Sequence, residues 1–142
     1  MAIIGAGNPV GGSFTGPAEA LEIIGDHAYA YSGDFIESTT PITVLDFTTG
    51  NYYFVGVIQL LAPVQATNPV SGATTTGLTT FNGVNVIQQK AVSDPENSPN
   101  YSTIQIIIPP YTEVSTVVES TADDTAQKGS MIITGRIYRT RD

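Results

Sequence analysis

Residues 52–61 read YYFVGVIQLL, and this stretch decides the fold of the chain. Aromatic and β-branched residues are enriched in strands, and they make up most of the stretch. Successive side chains of a strand point to opposite faces. Both faces are apolar here, because Gln59 is the only strongly polar residue. The stretch is therefore predicted to be a strand that needs cover on both sides.

The two apolar faces of this strand require two different partners. The core of a β-sandwich covers one face of each sheet, and packing between subunits is predicted to cover the other. The alternative cover is the chain's own loops or N-terminal segment. The residues assigned to the interface of a homotrimer are Tyr52, Phe54, Ile58 and Leu60. The opposite face carries Tyr53, Val55, Val57 and Leu61.

Strand signals recur at short intervals on both sides of this stretch. Runs rich in Val, Ile, Thr and Tyr are separated by Gly, Pro, Asn and Asp, and Asn82-Gly83 is a strong signal for a tight hairpin. The sequence predicts an all-β fold, a jelly-roll β-sandwich. A short capped helix from Thr15-Gly16-Pro17 through Gly25 is the alternative to the first strand. The predicted strands are residues 20–24, 27–31, 42–47, 52–61, 78–81, 84–91, 101–108, 113–120 and 130–138.

The N-terminal segment, residues 1–17, differs in composition from the rest of the chain. It holds five glycines and two prolines, which resist a helix and favour extended or turn conformations. We expect an extended arm over residues 1–17 and the sandwich domain over residues 18–142, with a frayed terminus as the alternative. The apolar residues predicted to anchor the arm are Ile3, Ile4, Val10 and Phe14.

Charge is scarce and unevenly distributed. The 142-residue chain has a formal net charge of −8 and 13% charged residues, and no Lys or Arg precedes Lys90. Three of the five basic residues, Arg136, Arg139 and Arg141, lie at the C-terminus. Phosphate backbones need clustered cations, so no nucleic-acid partner is predicted. No run is long and apolar enough to span a membrane, and no signal peptide is apparent, so synthesis in the cytoplasm is expected.

The residue types that catalysis needs are nearly absent. The chain has no cysteine, His27 is the only histidine, and no phosphate-binding or dinucleotide-binding motif occurs. We therefore predict that the protein is not an enzyme and has no cofactor or metal, although carboxylates from distant strands could still converge. Four acidic residues in predicted turns have the oxygen ligands that Ca²⁺ takes, but solvated loop acids are the preferred interpretation. These four are Asp94, Glu96, Asp123 and Asp124.

The order of features between Thr48 and Tyr138 resembles the TNF/C1q-like jelly roll. The matching segments are Gly50-Asn51-Tyr52-Tyr53-Phe54-Val55, Phe81-Asn82-Gly83-Val84, residues 109–118, and residues 131–137 with Gly135. The sequence departs from the family at Pro109-Pro110-Tyr111, where the family commonly has Gly-Asp. The resemblance implies a trimer packed about the aromatic strand.

The overall character of the chain also resembles small virion proteins of tailed bacteriophages, notably capsid decoration and head-fibre proteins. This resemblance implies a homotrimeric decoration (cement) subunit on the capsid surface, which is made in the host cytoplasm. Its arm would bind the major capsid protein by strand addition or groove docking, and three arms on one trimer would bind together. The alternative is a receptor- or glycan-binding fibre tip or lectin-like module that uses residues 62–77 and 93–100.

Overall fold

The computed structural model describes residues 20–64, 74–92 and 101–139, so the predicted arm lies outside the described residues. The described chain forms ten β-strands, and none of it forms a helix long and apolar enough to cross a membrane. The all-β prediction is confirmed. The strands are β1 (Glu22–Ile24), β2 (His27–Tyr31), β3 (Phe35–Glu37), β4 (Ile42–Thr48), β5 (Tyr52–Val64), β6 (Thr74–Phe81), β7 (Val84–Val92), β8 (Tyr101–Ile108), β9 (Glu113–Ser120) and β10 (Asp124–Arg139).

Two antiparallel sheets pack as a β-sandwich. The first sheet has the order β1-β2-β10-β5-β8, with β3 paired to β10, and the second has the order β4-β9-β6-β7. From β4 to β10 the chain changes sheet at every connection except the β6–β7 hairpin. This alternation between two sheets is the jelly-roll pattern, and it places β5 between β10 and β8 in the first sheet.

The predicted Asn82-Gly83 hairpin is confirmed. Both residues have positive φ, 51° and 81°, as a two-residue turn between twisted strands requires. Tyr111 lies where the chain departs from the TNF/C1q pattern, and with Asn82 it is one of two non-glycine residues in the described ranges that have a positive φ, here 55°. The Tyr111 backbone N–H donates to the Gly50 carbonyl, at 3.1 Å, and this bond fixes the β8–β9 turn against the β4–β5 turn.

Several strand boundaries differ from the sequence prediction. The first predicted strand is β1 and not a helix, and β3 was not predicted at all. β6 begins at Thr74, four residues before the strand predicted at residues 78–81. Its threonines carry no hydrophobic signal, but they pair with β7 on one side and β9 on the other, and Thr75 is buried. Tertiary pairing therefore determines this strand more than local sequence does.

The core lies between the sheets and includes most of the residues that were assigned to the trimer interface. Phe54, Ile58 and Leu60 are completely buried within the single chain, and Tyr52 packs against the same cluster. Side chains without accessible surface cannot contact another subunit, so the sequence prediction was wrong in its choice of face. The physical reason is that this set points from β5 toward the second sheet, while the alternate set points away from it.

A pair of glycines makes room for the Phe54 ring on the inner face of the first sheet. Gly56 of β5 and Gly135 of β10 are directly opposite each other. A Cβ atom at Gly135 would lie 2.3 Å from the Val55 carbonyl oxygen and 2.8 Å from the Phe54 ring. The Phe54 ring therefore occupies the space that side chains at these two positions would otherwise fill.

The second sheet lines the core with polar groups. Thr79 of β6 and Thr116 of β9 are buried and share a 2.8 Å hydrogen bond between their hydroxyl oxygens. The buried Gln89 of β7 donates from its side-chain Nε2 to the backbone carbonyls of Ile58, at 3.2 Å, and Ser102, at 2.9 Å. These two acceptors belong to the first sheet, so Gln89 links the two sheets where β7 lies near β8.

Candidate interaction surface

The outer face of the first sheet is unusually apolar for a surface in contact with water. Five of the seven tyrosines lie on it, together with valine and isoleucine side chains. Ile107 and Tyr138 are 60% and 53% exposed, respectively. The outward residues that define this surface, here called the apolar face, are Tyr29, Tyr31, Tyr53, Val55, Tyr101, Ile107, Ile132 and Tyr138.

The strand register assembles this surface from distant parts of the chain. Val55 lies directly between Ile107 of β8 and Arg136 of β10. Tyr53 lies opposite Tyr138, since β5 and β10 pair over most of their length. Because cross-strand neighbours on one face approach within about 5 Å, these side chains form a continuous surface. The surface exists only when β5, β8 and β10 are paired.

Two local features give the apolar face its shape. A shallow depression of about 590 Å³ lies over β5 and β8, and its lining includes Val55, Val57, Gln105 and Ile107. On β2, the rings of Tyr29 and Tyr31 have their centroids 5.0 Å apart and are tilted by 42°. Tyrosine combines a large apolar ring with a hydroxyl that can bind water or a partner, and it is enriched at protein interfaces for this reason.

One end of this face carries charge. The Arg136 guanidinium lies 3.6 Å from the Asp26 carboxylate, and the His27 Nε2 lies 3.7 Å from the same carboxylate. All three side chains are more than half exposed, so this contact contributes little to stability. The sole histidine therefore lies at the solvent-exposed start of β2, beside a carboxylate and a guanidinium.

Asp123, a candidate cation ligand, is engaged by the chain itself. Its Oδ1 accepts hydrogen bonds from the Thr39 backbone N–H, at 2.7 Å, and from the Thr39 hydroxyl, at 3.1 Å. These bonds to Thr39 hold the pKa of the Asp123 carboxyl below its usual range. Asp94 and Glu96 lie outside the described residues. Within the described ranges, no three acidic or histidine side chains are grouped to hold a metal ion.

The outer face of the second sheet is polar. It is built from threonine, serine and acidic side chains, with the half-buried Leu78 and Val117 paired at its centre. Its outward residues include Thr43, Asp46, Thr48, Thr74, Thr76, Leu78, Thr80, Gln88, Lys90, Val92, Glu113, Ser115, Val117 and Glu119. Among the described strands of this sheet, exposed valines occur on β7 alone, at Val84, Val86 and Val92, so this outer face is more polar than the apolar face.

The sequence analysis did not identify the tyrosines of β2 and β10 as parts of one surface, and the structure brings them together with Tyr53 and Tyr101. The signal was present in β2, where the sequence HAYAY alternates buried alanines with more exposed aromatic residues. Small inward residues and large outward residues reverse the usual pattern of a half-solvated strand. Such a reversal is a usable indication of an interaction face.

Comparison with known proteins gives no assignment for this chain. No protein-family model matches the sequence. No curated protein matches it either. The function is therefore argued from the apolar face and from the composition of the chain.

Proposed function

We propose that the protein is a structural subunit that self-associates into a homotrimer through the apolar face and decorates a viral capsid. The observation that carries the proposal is the exposure of tyrosine, valine and isoleucine on one side of the first sheet. Large contiguous apolar surfaces on a soluble protein mark interaction sites. The capsid role rests on the resemblance to phage virion proteins, and the trimer rests on the resemblance to the TNF/C1q-like jelly roll.

Burial of the apolar face supplies the driving force for self-association. Removing apolar surface from water is worth about 25 cal/mol per Å². Val55 lies at the middle of this face and is 39% exposed. A charged side chain at this position would lose its hydration in any assembly that buries the apolar face. Copies of the same chain are the proposed occupant because none of the residues that define the apolar face is charged, so two identical faces do not repel each other.

The test of the trimer is the mass of the purified chain, measured by light scattering after size exclusion. We expect about 45 kDa, three times the chain mass of 14.9 kDa. The variant Val55→Lys should run as a monomer, because a lysine on the apolar face cannot be buried without a partner. The matched variant Val117→Lys places the same change on the outer face of the second sheet and should remain trimeric. A wild-type chain that is monomeric at every concentration would overturn the trimer.

Capsid binding is tested separately, with residues 1–17 removed. We expect the truncated chain to keep its trimeric mass and to lose co-sedimentation with shells of the major capsid protein. The proposed anchors are Ile3, Ile4, Val10 and Phe14, and their joint replacement by serine should have the same effect. Binding that survives the truncation would contradict the role of the arm and leave the self-association proposal intact.

The exposed tyrosines also favour a second candidate function, glycan or receptor binding. Sugars stack on aromatic rings, and Tyr53 and Tyr138 lie side by side on the apolar face. A glycan-array signal that is lost in Tyr53→Ala, with an unchanged mass in solution, would select this function. A signal lost only when the chain is monomeric would instead reflect multivalent binding by the assembly.

A further inference from the structure

The edge strand β8 differs from the other edge strands of the sandwich. In the described part of the chain, the edges are β1, β3 and β8 in the first sheet and β4 and β7 in the second. Edge strands of soluble proteins are usually shortened, charged or bulged, because an open row of backbone donors and acceptors invites pairing with other chains. A long edge without such protection indicates a strand that has a partner.

The other edges carry the expected protection. β1 and β3 are three residues each, and both contain a glutamate. β4 contains Asp46 and has an irregular register with β9 between Thr43 and Leu45. β7 contains Lys90, and its pairing with β6 shifts at Thr79/Thr80. Each of these features interrupts or repels an added strand.

β8 lacks all of these features. It has eight residues, Tyr101–Ile108, with no charge and no proline. It pairs with β5 in one uninterrupted register over its whole length. No strand among the described residues pairs with its other side. Its outward side chains include Tyr101 and Ile107, which are 61% and 60% exposed.

We propose that β8 pairs antiparallel with β8 of a second copy, about a two-fold axis at Ile104. In this register Tyr101 of each copy lies opposite Ile107 of the other, and Thr103 lies opposite Gln105. Aromatic residues opposite β-branched residues stabilise antiparallel pairs. The register thus covers the two most exposed apolar side chains of β8 with each other.

The absence of charge specifically permits pairing with an identical strand. A two-fold axis at Ile104 brings the residues around it close to their own copies, so a charged residue near the centre would lie close to a like charge. β8 contains none. This inference goes beyond the proposed trimer, because the trimer contact is a sheet face and this contact is a sheet edge. The two contacts together would join neighbouring trimers.

A disulfide trap tests the register directly, because the native chain has no cysteine. The double variant Thr103→Cys/Gln105→Cys places cysteines at the proposed opposite positions, within the reach of a disulfide. Mild oxidation should convert most of the chain into a species of twice the chain mass on a non-reducing denaturing gel. Mass spectrometry should find position 103 linked to position 105. The denaturing gel separates non-covalent assemblies and detects only disulfide-linked chains, so the result does not depend on whether the trimer forms.

Two control variants define the outcomes. Asp46→Cys/Thr48→Cys has the same spacing on the exposed face of the β4 edge and should stay unlinked. Thr103→Cys/Ile107→Cys tests a register centred on Gln105, one residue along the strand, and should link far less. Linking of the first variant no greater than that of the β4 control overturns the β8 contact. Stronger linking of the shifted variant overturns the register.

Hydrogen exchange of the unmodified chain provides a second measurement that needs no substitution. The backbone amides of β8 should exchange more slowly as protein concentration rises, whereas those of the β4 edge should not change. Val55→Lys should keep this concentration dependence, since the substitution disrupts the proposed trimer face and leaves the edge free. Exchange of β8 that is independent of concentration overturns the proposal.

Discussion

The first sheet presents tyrosine and aliphatic side chains to solvent, whereas the second sheet presents threonine and acidic side chains. The same contrast holds inside the sandwich. The first sheet contributes Phe54, Ile58 and Leu60 to the core, and the second contributes the hydrogen-bonded Thr79 and Thr116. The outer face of the first sheet is therefore richer in apolar side chains than that of the second, and the second sheet is partly polar within the core as well. A sheet that is apolar on both faces needs a partner on each, while a polar outer face is stable in water.

The largest expected effect comes from adding one methyl group to the first sheet. Gly135→Ala should destabilise the fold by about 2 to 4 kcal/mol, because the new Cβ would collide with the backbone of β5 and with Phe54. Chemical denaturation followed by circular dichroism measures the loss.

The matched control for this change is Gly77→Ala in the second sheet. A Cβ there meets the flexible end of Met131 at 3.1 Å and can be accommodated by a small shift of that side chain. We expect a change within about 1 kcal/mol, since the lower entropy of the unfolded alanine chain offsets the crowding. If both substitutions lowered the free energy of unfolding equally, the two sheets would not differ in how well they accommodate a methyl group at these glycines.

A smaller effect is expected from the polar core of the second sheet. Thr79→Val or Thr116→Val alone should cost about 1 to 2 kcal/mol, because each leaves the other hydroxyl buried without its hydrogen bond. The double variant should cost less than the sum of the two, since both polar partners are then gone. A double-mutant cycle measured by denaturation tests this, and strictly additive losses would mean that the hydroxyl pair does not act as a unit.

The smallest effect is expected at Asp123, which joins the turn at Thr39 to the start of β10. The pKa of its carboxyl is lowered in the folded chain from the usual value of 3.8. Its contribution to stability is therefore fully present above pH 3.8 and is lost as the pH falls through the folded pKa. Asp123→Asn should remove this part of the acid dependence. Asp46→Asn, on the exposed edge strand β4, controls for the change in net charge, and identical pH profiles for the two variants would contradict the role of the Thr39 bonds.

Much of the fold could be predicted from local sequence, because the necessary signals are local. The Asn82-Gly83 turn needs two residues that tolerate positive φ, and the strands on both sides of it carry β-branched residues. β3 and the start of β6 could not be predicted in the same way. β3 has three residues, and Thr74 and Thr76 are held by pairing with strands that lie far away in the sequence.

The candidate site was only half predictable. The two-faced character of β5 followed from its residues, but the face assigned to subunit contacts was the one that fills the core. The tyrosines of β2 and β10 reach this surface because β2 pairs with β10 and β10 pairs with β5. Tyr31 of β2 lies opposite Ile132 of β10, although the two residues are about a hundred positions apart in the sequence. No window of local sequence contains that juxtaposition.

The sequence by itself determined that this chain is an all-β protein with scarce charge and one strand that needs cover on both sides. Only the tertiary structure decided which side of that strand is the core. A period of two separates the side chains into two sets but does not say which set points inward, and hydrophobicity cannot choose when both sets are apolar. The choice was made by packing, since the Gly56–Gly135 pair provides space for the Phe54 ring on one face alone.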